Sequence, residues 1–374
     1  MTDVVVTGLG AVCCQGAGVA ALDRAMTAAV AAPPDTVPDK GAGLRIPLMH
    51  RAPDIAATGH DAGRAGRLAV TAAAEALADA GLTTPHDRVV TVIGTCHGEA
   101  LPRECRAEGD ETPAFLVASA VADWLGGYAA NTSVSNACAA GGYALTLAAD
   151  LIAAGEADVV LAGGADAYSR VGWACMDRMG AVDPLCCRPF DAHRRGTVLG
   201  EGAGMLVLES AQYARARGAA VHARFAGAGW SCDAGHATAP DASGEQIERA
   251  MRQALTAAPG CVIPHGTGTV LNDRVESRAL RAVLGTRADD VPLYSLKALI
   301  GHTGGASAAL AAVAAVLILA AGAVPANIAL EEQDPTCAVF LPQDGPTSLR
   351  FPRVLVNAYA FGGNNSSLVL ESAA

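Results

Sequence analysis

Short, uninterrupted apolar runs alternate along the chain with longer Ala-rich stretches of helical period. Runs of the first kind suit strands covered on both faces, and stretches of the second suit helices packed through small side chains. Val4–Gly8, Val89–Gly94, Ala157–Gly163, Gly202–Glu209, Leu293–Lys297, Val354–Ala358 and Ser367–Glu371 read as strands, and Cys261–His265 ends another. Arg67–Ala80, Cys138–Gly155, Ala211–Arg217, Gly244–Ala258, Glu276–Leu284 and Ala306–Gly322 read as helices. The alternation predicts an α/β protein whose sheets are covered by helices. Each half has a strand, a Gly-rich turn and a central apolar helix, Cys138–Gly155 in one and Ala306–Gly322 in the other. This suggests an internal duplication of architecture, without a residue repeat of fixed period. Pro33–Asp61 and Glu99–Thr112 read as loops. The second, with Arg103, Arg106, Glu108, Asp110 and Glu111, is either solvated surface or a cap beside a pocket.

Composition narrows the class. At 374 residues the chain has room for a large core, and with 51% hydrophobic but only 4% aromatic residues that core must be built from Ala, Val and Leu. A net charge of −11 argues against a general nucleic-acid surface, which needs clustered positive charge. The eleven cysteines are odd in number, include the adjacent pairs Cys13-Cys14 and Cys186-Cys187, and form no Cys-x-x-Cys. That is neither a disulfide framework nor a zinc ribbon, so a reduced, cytoplasmic protein without a metal site is expected. No basic segment precedes the first apolar run, so no secretory signal is expected. Ala306–Val324 has the length of a membrane span, but it is Ala-rich and follows Gly301, Gly304 and Gly305; a buried helix is the better expectation.

Candidate chemistry centres on Cys138 in Ser135-Asn136-Ala137-Cys138-Ala139-Ala140-Gly141-Gly142, where a strand-like stretch turns into a helix. The free N–H groups of a first helical turn favour the thiolate, the nucleophilic form of cysteine. His265 stands in Pro264-His265-Gly266-Thr267-Gly268-Thr269, with Asn272, Asp273 and Glu276 following. Lys297 and His302 share Lys297-Ala298-Leu299-Ile300-Gly301-His302-Thr303-Gly304-Gly305, and Lys297 is one of only two lysines, with Lys40. Near the end of the chain, Phe361-Gly362-Gly363 could turn backbone N–H groups toward a ligand. A Cys nucleophile with distant His partners suits covalent acyl transfer. The thiol attacks a thioester, two imidazoles donate to a thioester or enolate oxygen, and the N–H groups of Cys138 and Phe361 form an oxyanion hole.

Together these motifs resemble the β-ketoacyl-acyl carrier protein synthases of the thiolase superfamily. Val5-Val6-Thr7-Gly8-Leu9-Gly10-Ala11-Val12, Ala162-Gly163-Gly164-Ala165-Asp166, Arg188-Pro189-Phe190-Asp191 and Gly200-Glu201-Gly202-Ala203-Gly204 add to the match, in family order across nearly the whole chain. The resemblance implies a five-layered αβαβα thiolase fold of two similar halves, 1–209 with the cysteine and 210–374 with the His/Lys/His motifs. It also implies a dimer. Cys138 would carry the acyl chain, and His265 and His302 would support decarboxylation of a malonyl-carrier protein. Lys297 would order the site, Asp273 and Glu276 would stand behind it, and Phe361 would gate it. Thr267 and Thr269 would meet the pantetheine arm. No cofactor is implied, because phosphopantetheine arrives on the carrier. The partners implied are an acyl carrier protein and either a second copy or a chain-length-factor-like ketosynthase.

Some positions depart from the family pattern. Ala311 stands where an acidic residue is usual, and Thr197 where Phe is usual, which would alter the acyl pocket. The chain ends its last motif in Asn364-Asn365, and the stretch from Gly94 to Cys138 is short. These features resemble the ketosynthases of reducing type II polyketide systems such as those making polyenes. Fatty-acid elongation and a non-condensing acyltransferase on the same fold remain open alternatives. A chain-length factor is rejected because Cys138, His265 and His302 are all present. A dinucleotide-binding turn at Gly8-Leu9-Gly10 lacks its third glycine, Cys13 standing there instead.

Overall fold

The computed structural model describes residues 2–56, 63–83, 89–105, 116–127 and 130–373. Among them, nine strands follow one path through a ten-stranded sheet: β1 (Val4–Cys13), β2 (Val90–Gly94), β3 (Asn131–Val134), β4 (Val159–Asp166), β5 (Gly202–Ser210), β6 (Ala223–Cys232), β7 (Cys261–Ile263), β8 (Arg353–Tyr359) and β9 (Asn364–Ser372). Their spatial order is β7-β8-β9-β6-β1-β5-β4-β2-β3. The sheet is the same motif used twice. In one half β2 is parallel to β4, then β4–β5 and β5–β1 are antiparallel. In the other, β7 is parallel to β8, then β8–β9 and β9–β6 are antiparallel. Within the sheet the halves join where Val5 and Val6 of β1 pair with Arg224 and Ala223 of β6.

The main helices are α1 (Val19–Ala28), α2 (Arg64–Asp79), α3 (Ala140–Ala153), α4 (Glu245–Ala254), α5 (Val270–Leu284) and α6 (Ser307–Ala321). Helices α3 and α6 touch each other and lie between the two halves of the sheet, α3 mainly against β2 and β4, α6 against β5, β8 and β9. Outside them α2 covers β1 and β5, and α4 covers β6 and β9 with α5 packed against it. The result is five layers, helix–sheet–helix–sheet–helix. The central position of α6 explains its composition. Ser307 to Val316 are all buried, and a helix that is apolar all round belongs inside a core. The stretch Gly304–Ala321 is long and apolar enough to cross a membrane, yet 83% of it is buried within the protein.

Gly8 and Gly10 are explained by this packing rather than by a nucleotide. Both lie inside β1, where a Cβ would fall 2.0 Å from Ala76 O and 1.9 Å from Ala72 O. Their lack of a side chain lets α2 press directly onto the strand.

The structure departs from the sequence pattern in several places. Leu293–Lys297 is not a strand: Leu293 makes a single bridge to Val262, and Leu296–Ile300 is a short helix. Helix α5 begins six residues earlier than the pattern indicates, at Val270, because its first turn carries polar Asn272 and Asp273 inward rather than apolar residues. Strand β6, helix α1 and helix Arg170–Arg178 are additional elements. In β6 the half-buried Ala, Gly and Ser positions give almost no alternation to detect. Pro33–Asp61 includes two short strands, Asp35–Thr36 and Leu48–Met49, and Ala100–Cys105 is helical. Arg106, Glu108, Asp110 and Glu111 lie outside the described residues.

Candidate active site

After β3 the chain reverses through Ala137, a non-glycine residue in the left-handed region at φ 47°, then makes a 3-10 turn, Ala137–Ala139, before α3. Such a conformation costs on the order of 1 kcal/mol and presents the next side chain on the outside of a sharp bend. That side chain is Cys138, whose Sγ lies 3.0 Å from His302 Nε2. The imidazole is held from behind, its Nδ1 2.9 Å from Ser307 Oγ, which is 3.2 Å from Thr303 Oγ1. Its backbone is clamped to the segment leading into β5: His302 N donates to Val198 O at 2.8 Å and Gly200 N donates to His302 O at 2.9 Å.

His265 follows β7, and α5 fixes its turn with two carboxylates one helical turn apart. Glu276 accepts from His265 N at 2.8 Å and Gly266 N at 2.7 Å, and Asp273 accepts from Thr267 N at 3.0 Å and Gly268 N at 3.2 Å. The other Asp273 oxygen accepts from Phe190 N at 2.8 Å, with Arg194 Nε 3.4 Å away, and so ties the Arg188-Pro189-Phe190-Asp191 stretch to the same turn. Lys297 Nζ donates to His265 O at 2.6 Å. The rings of His265 and His302 meet edge to face, centroids 5.5 Å apart, and Tyr359 lies 5.5 Å from His265 on another side. His265 Nδ1 and the Tyr359 hydroxyl are buried without a protein partner among the described residues.

Cys138, His265, His302, Thr197, Thr267, Thr269 and Phe361 all open onto one cavity of about 440 Å³. Thr267 and Thr269 hydroxyls are 2.9 Å apart, and Thr197 Oγ1 stands 3.6 Å from Cys187 Sγ. Phe361 is half exposed on the rim. Asp273, Glu276 and Lys297 do not reach the cavity; they hold the groups that do. Ala311 adjoins a void of about 10 Å³ beside Lys297 and Ser307. Lys297 has no ion pair among the described residues, so nothing at position 311 compensates its charge.

Burial sets the protonation states. It pushes both imidazoles well below the usual histidine value, with the Lys297 charge adding to the effect. It lowers Lys297 as well, resisted chiefly by Glu276. The Cys138 thiol is pushed up to about 11 by burial, with Lys297 pulling it down and Asp166 opposing. The expectation of a thiolate favoured by a helix start is therefore corrected: α3 begins at Ala140, and desolvation outweighs its N–H groups. Both shifts favour a neutral thiol facing a neutral imidazole.

Three further positions take a part at the site through the structure. Tyr359 is hidden in a strand. Asp166, the last residue of β4, has a structural rather than a reactive part: it accepts from Thr95 Oγ1 at 2.7 Å, Cys96 N at 2.8 Å, His97 N at 2.9 Å and Gly305 N at 2.5 Å. His97 lines the cavity and follows a strand with a glycine after it, the same signal as His265. Among the described residues no cluster of three or more His, Cys, Asp or Glu side chains is arranged to hold a metal ion.

Residues 50–214 match the family model "Beta-ketoacyl synthase, N-terminal domain" and residues 222–331 match "Beta-ketoacyl synthase, C-terminal domain". Nodulation protein E of Rhizobium leguminosarum bv. trifolii is 34% identical over 402 aligned positions, 98% of each chain. The match to nodulation protein E of Rhizobium meliloti, 40% identical, spans 61% of that protein and 64% of this chain. A putative polyketide β-ketoacyl synthase 1 of Streptomyces halstedii is 36% identical over 81% of both chains. Among solved structures, the ishigamide ketosynthase/chain length factor superposes with a TM-score of 0.92 at 34% identity, covering 100% of both chains. A β-ketoacyl synthase from Burkholderia phymatum superposes at 0.89 with 31% identity, also over 100% of both chains. Sequence, layer order and the shared cavity thus agree, and the chain belongs to the β-ketoacyl synthase family, with the thiolase fold.

Proposed function

We propose that the protein is a condensing enzyme that joins an acyl chain held on Cys138 to a malonyl unit by decarboxylative Claisen condensation. The observation that carries this is the contact of Cys138 Sγ with His302 Nε2 at 3.0 Å, with His265 edge-on beside it in one cavity. Cys138 attacks the carbonyl of an acyl thioester; its proton passes to His302 Nε2 and on to the departing pantetheine thiol. With Ser307 Oγ accepting from Nδ1–H, Nε2 is bare and able to take that proton. The N–H groups of Cys138 and Phe361 receive the developing oxyanion. A malonyl thioester then enters. Its carboxylate leaves as CO2, and the electrons of the broken C–C bond form an enolate whose oxygen accepts from Nε2–H of both imidazoles, His302 now being the Nε2–H tautomer with Ser307 Oγ donating to its Nδ1. The enolate carbon attacks the acyl-Cys138 carbonyl, the new C–C bond forms, and the Cys138 thiolate leaves and takes up a proton from solvent. Keeping His265 and His302 neutral suits this role, since the malonyl carboxylate should meet no fixed cation that would hold it back from leaving.

Reducing type II polyketide assembly is the pathway class we favour, with an acyl carrier protein as donor and a chain-length-factor-like or identical subunit as partner. The whole-length likeness to the ishigamide ketosynthase/chain length factor supports it, as does the likeness, at 25% identity, to a type II polyketide ketosynthase solved in complex with its acyl-carrier protein. Fatty-acid elongation is the second reading, favoured by 36% identity to 3-oxoacyl-[acyl-carrier-protein] synthase 2 of Synechocystis. The test is intact mass after incubation with an acyl-carrier protein, then with malonyl-carrier protein. An acyl adduct absent in Cys138→Ala, followed by a product two carbons longer, is expected. An adduct with no extension, even with a partner subunit supplied, would leave a non-condensing acyltransferase.

A further inference from the structure

The cavity holds a third imidazole for which the condensation has no use. His97 follows β2 and lines the same space as Cys138 and His302. Its place is built. Asp166 accepts from His97 N at 2.9 Å and Cys96 N at 2.8 Å, and Thr95 Oγ1 accepts from Gly98 N at 2.8 Å. The ring leans on Trp173, centroids 6.2 Å apart at 54°. It also fills the space that a side chain on Gly172 would take, since a Cβ there would lie 2.5 Å from His97 Cε1. Backbone, ring face and floor are thus all fixed, but neither ring nitrogen has a hydrogen-bond partner among the described residues. The cavity wall nearby is Gly172, Met176 and Leu199, whereas the Thr267 and Thr269 hydroxyls that could serve a pantetheine arm belong to the His265 turn. Half-buried on the cavity wall, the imidazole is placed to exchange water for an oxygen of a bound ligand.

Building on the condensing reading above, we propose that His97 is a specificity-determining residue of the acyl pocket. Its imidazole hydrogen-bonds an oxygen, hydroxyl or keto, that the acyl chain carries beyond its thioester carbonyl. Chains bearing that oxygen are then loaded in preference to saturated chains of the same length. The reaction that supplies this substrate stops at the keto or hydroxyl stage at one position instead of removing the oxygen. A site that hydrogen-bonds a hydroxyl discriminates strongly against the analogue lacking it, because the protein's own polar atom is then left unpaired.

The experiment measures the rate of Cys138 acylation by intact mass, using the full chain and a panel of pantetheine thioesters. The panel is hexanoyl and its 3-hydroxy, 5-hydroxy and 3-keto forms. We expect the wild-type protein to favour one oxygenated primer over hexanoyl by about tenfold. The ratio falls to about one in His97→Leu and is partly kept in His97→Asn. Gly172→Ala, which retains the imidazole but displaces it, lowers the ratio too. A wild-type ratio at or below one for every oxygenated primer overturns the inference, whether or not the variants fold. So does a ratio unchanged in His97→Leu. Equal loss for all primers assigns His97 to the pantetheine arm or to support of the turn, and overturns it as well. No Cys138 adduct from any primer would overturn the condensing reading itself, and this inference with it.

Discussion

At the scale of single residues, burial favours the uncharged forms of Cys138, His265 and His302. A thiol pushed up to about 11 cannot act as a standing thiolate near neutral pH; its proton must move to His302 as the carbonyl is attacked. The charge on Lys297 is the main influence pulling the thiol down, and it acts from behind His265 rather than from within the cavity. Alkylation of Cys138 by iodoacetamide, followed by peptide mass spectrometry to separate it from exposed cysteines such as Cys105 and Cys232, should therefore rise about tenfold per pH unit between pH 7 and 9. Lys297→Met should slow it several-fold, because the largest influence opposing desolvation would then be gone. A rate flat across that window would show a preformed thiolate–imidazolium pair and contradict the neutral resting state.

At the scale of elements, the cavity is an end product of close backbone approach. Strand β1 and helix α2 touch through Gly8 and Gly10, and α3 meets the Gly304–Ala306 turn through Gly141, where a Cβ would lie 2.6 Å from Gly305 O. In each case the obstacle is a backbone atom that cannot turn aside. Gly10→Ala should destabilise the protein by about 3 kcal/mol or more, as strong overpacking does, read as a lower urea midpoint. A midpoint within error of the wild type would mean that α2 yields at no cost. The same logic explains why α5 carries Asp273 and Glu276 inside. Four successive N–H groups, from His265 to Gly268, would otherwise be buried without acceptors.

At the scale of the whole molecule, burial of neutral histidines links stability to pH. His265 and His302 are held well below their ordinary value and His50 is lowered to about 4 by desolvation. The unfolded chain binds protons at these sites as pH drops below about 6.5, while the folded chain does not, so stability is lost as pH falls. Glu276, raised to about 7 by burial, works in the opposite direction, since the folded state keeps its proton between pH 4.5 and 7. Glu99, Asp150 and Asp273 are raised by burial as well and oppose the imidazoles in the same way, which leaves a net loss on the order of 1 kcal/mol per pH unit between pH 6 and 5. The denaturation midpoint should fall accordingly from pH 7.5 to 5.5. A midpoint constant over that range would show that the imidazoles are hydrated and protonate in the folded state.

By itself the sequence determined the local patterns. Buried strands announce themselves as apolar runs, Ala-rich helices as periodic ones, and turns as Gly-flanked polar residues. Cys138, His265 and His302 were legible because each stands at a turn beside such an element, and Lys297 because it is one of only two lysines and shares the Gly-rich motif of His302. Tertiary structure decided what local pattern cannot encode. Leu293–Lys297 has strand-like composition, yet its backbone donors find partners in a bridge and a short helix. β6 has little pattern, yet β9 along one edge and a short pairing with β1 on the other hold it. The protonation of Cys138 follows from desolvation and from a lysine 159 residues further along the chain, and His97 gains its place through Asp166 and Gly172. Such effects depend on which surfaces exclude water from one another, a property of the assembled layers and not of any one segment.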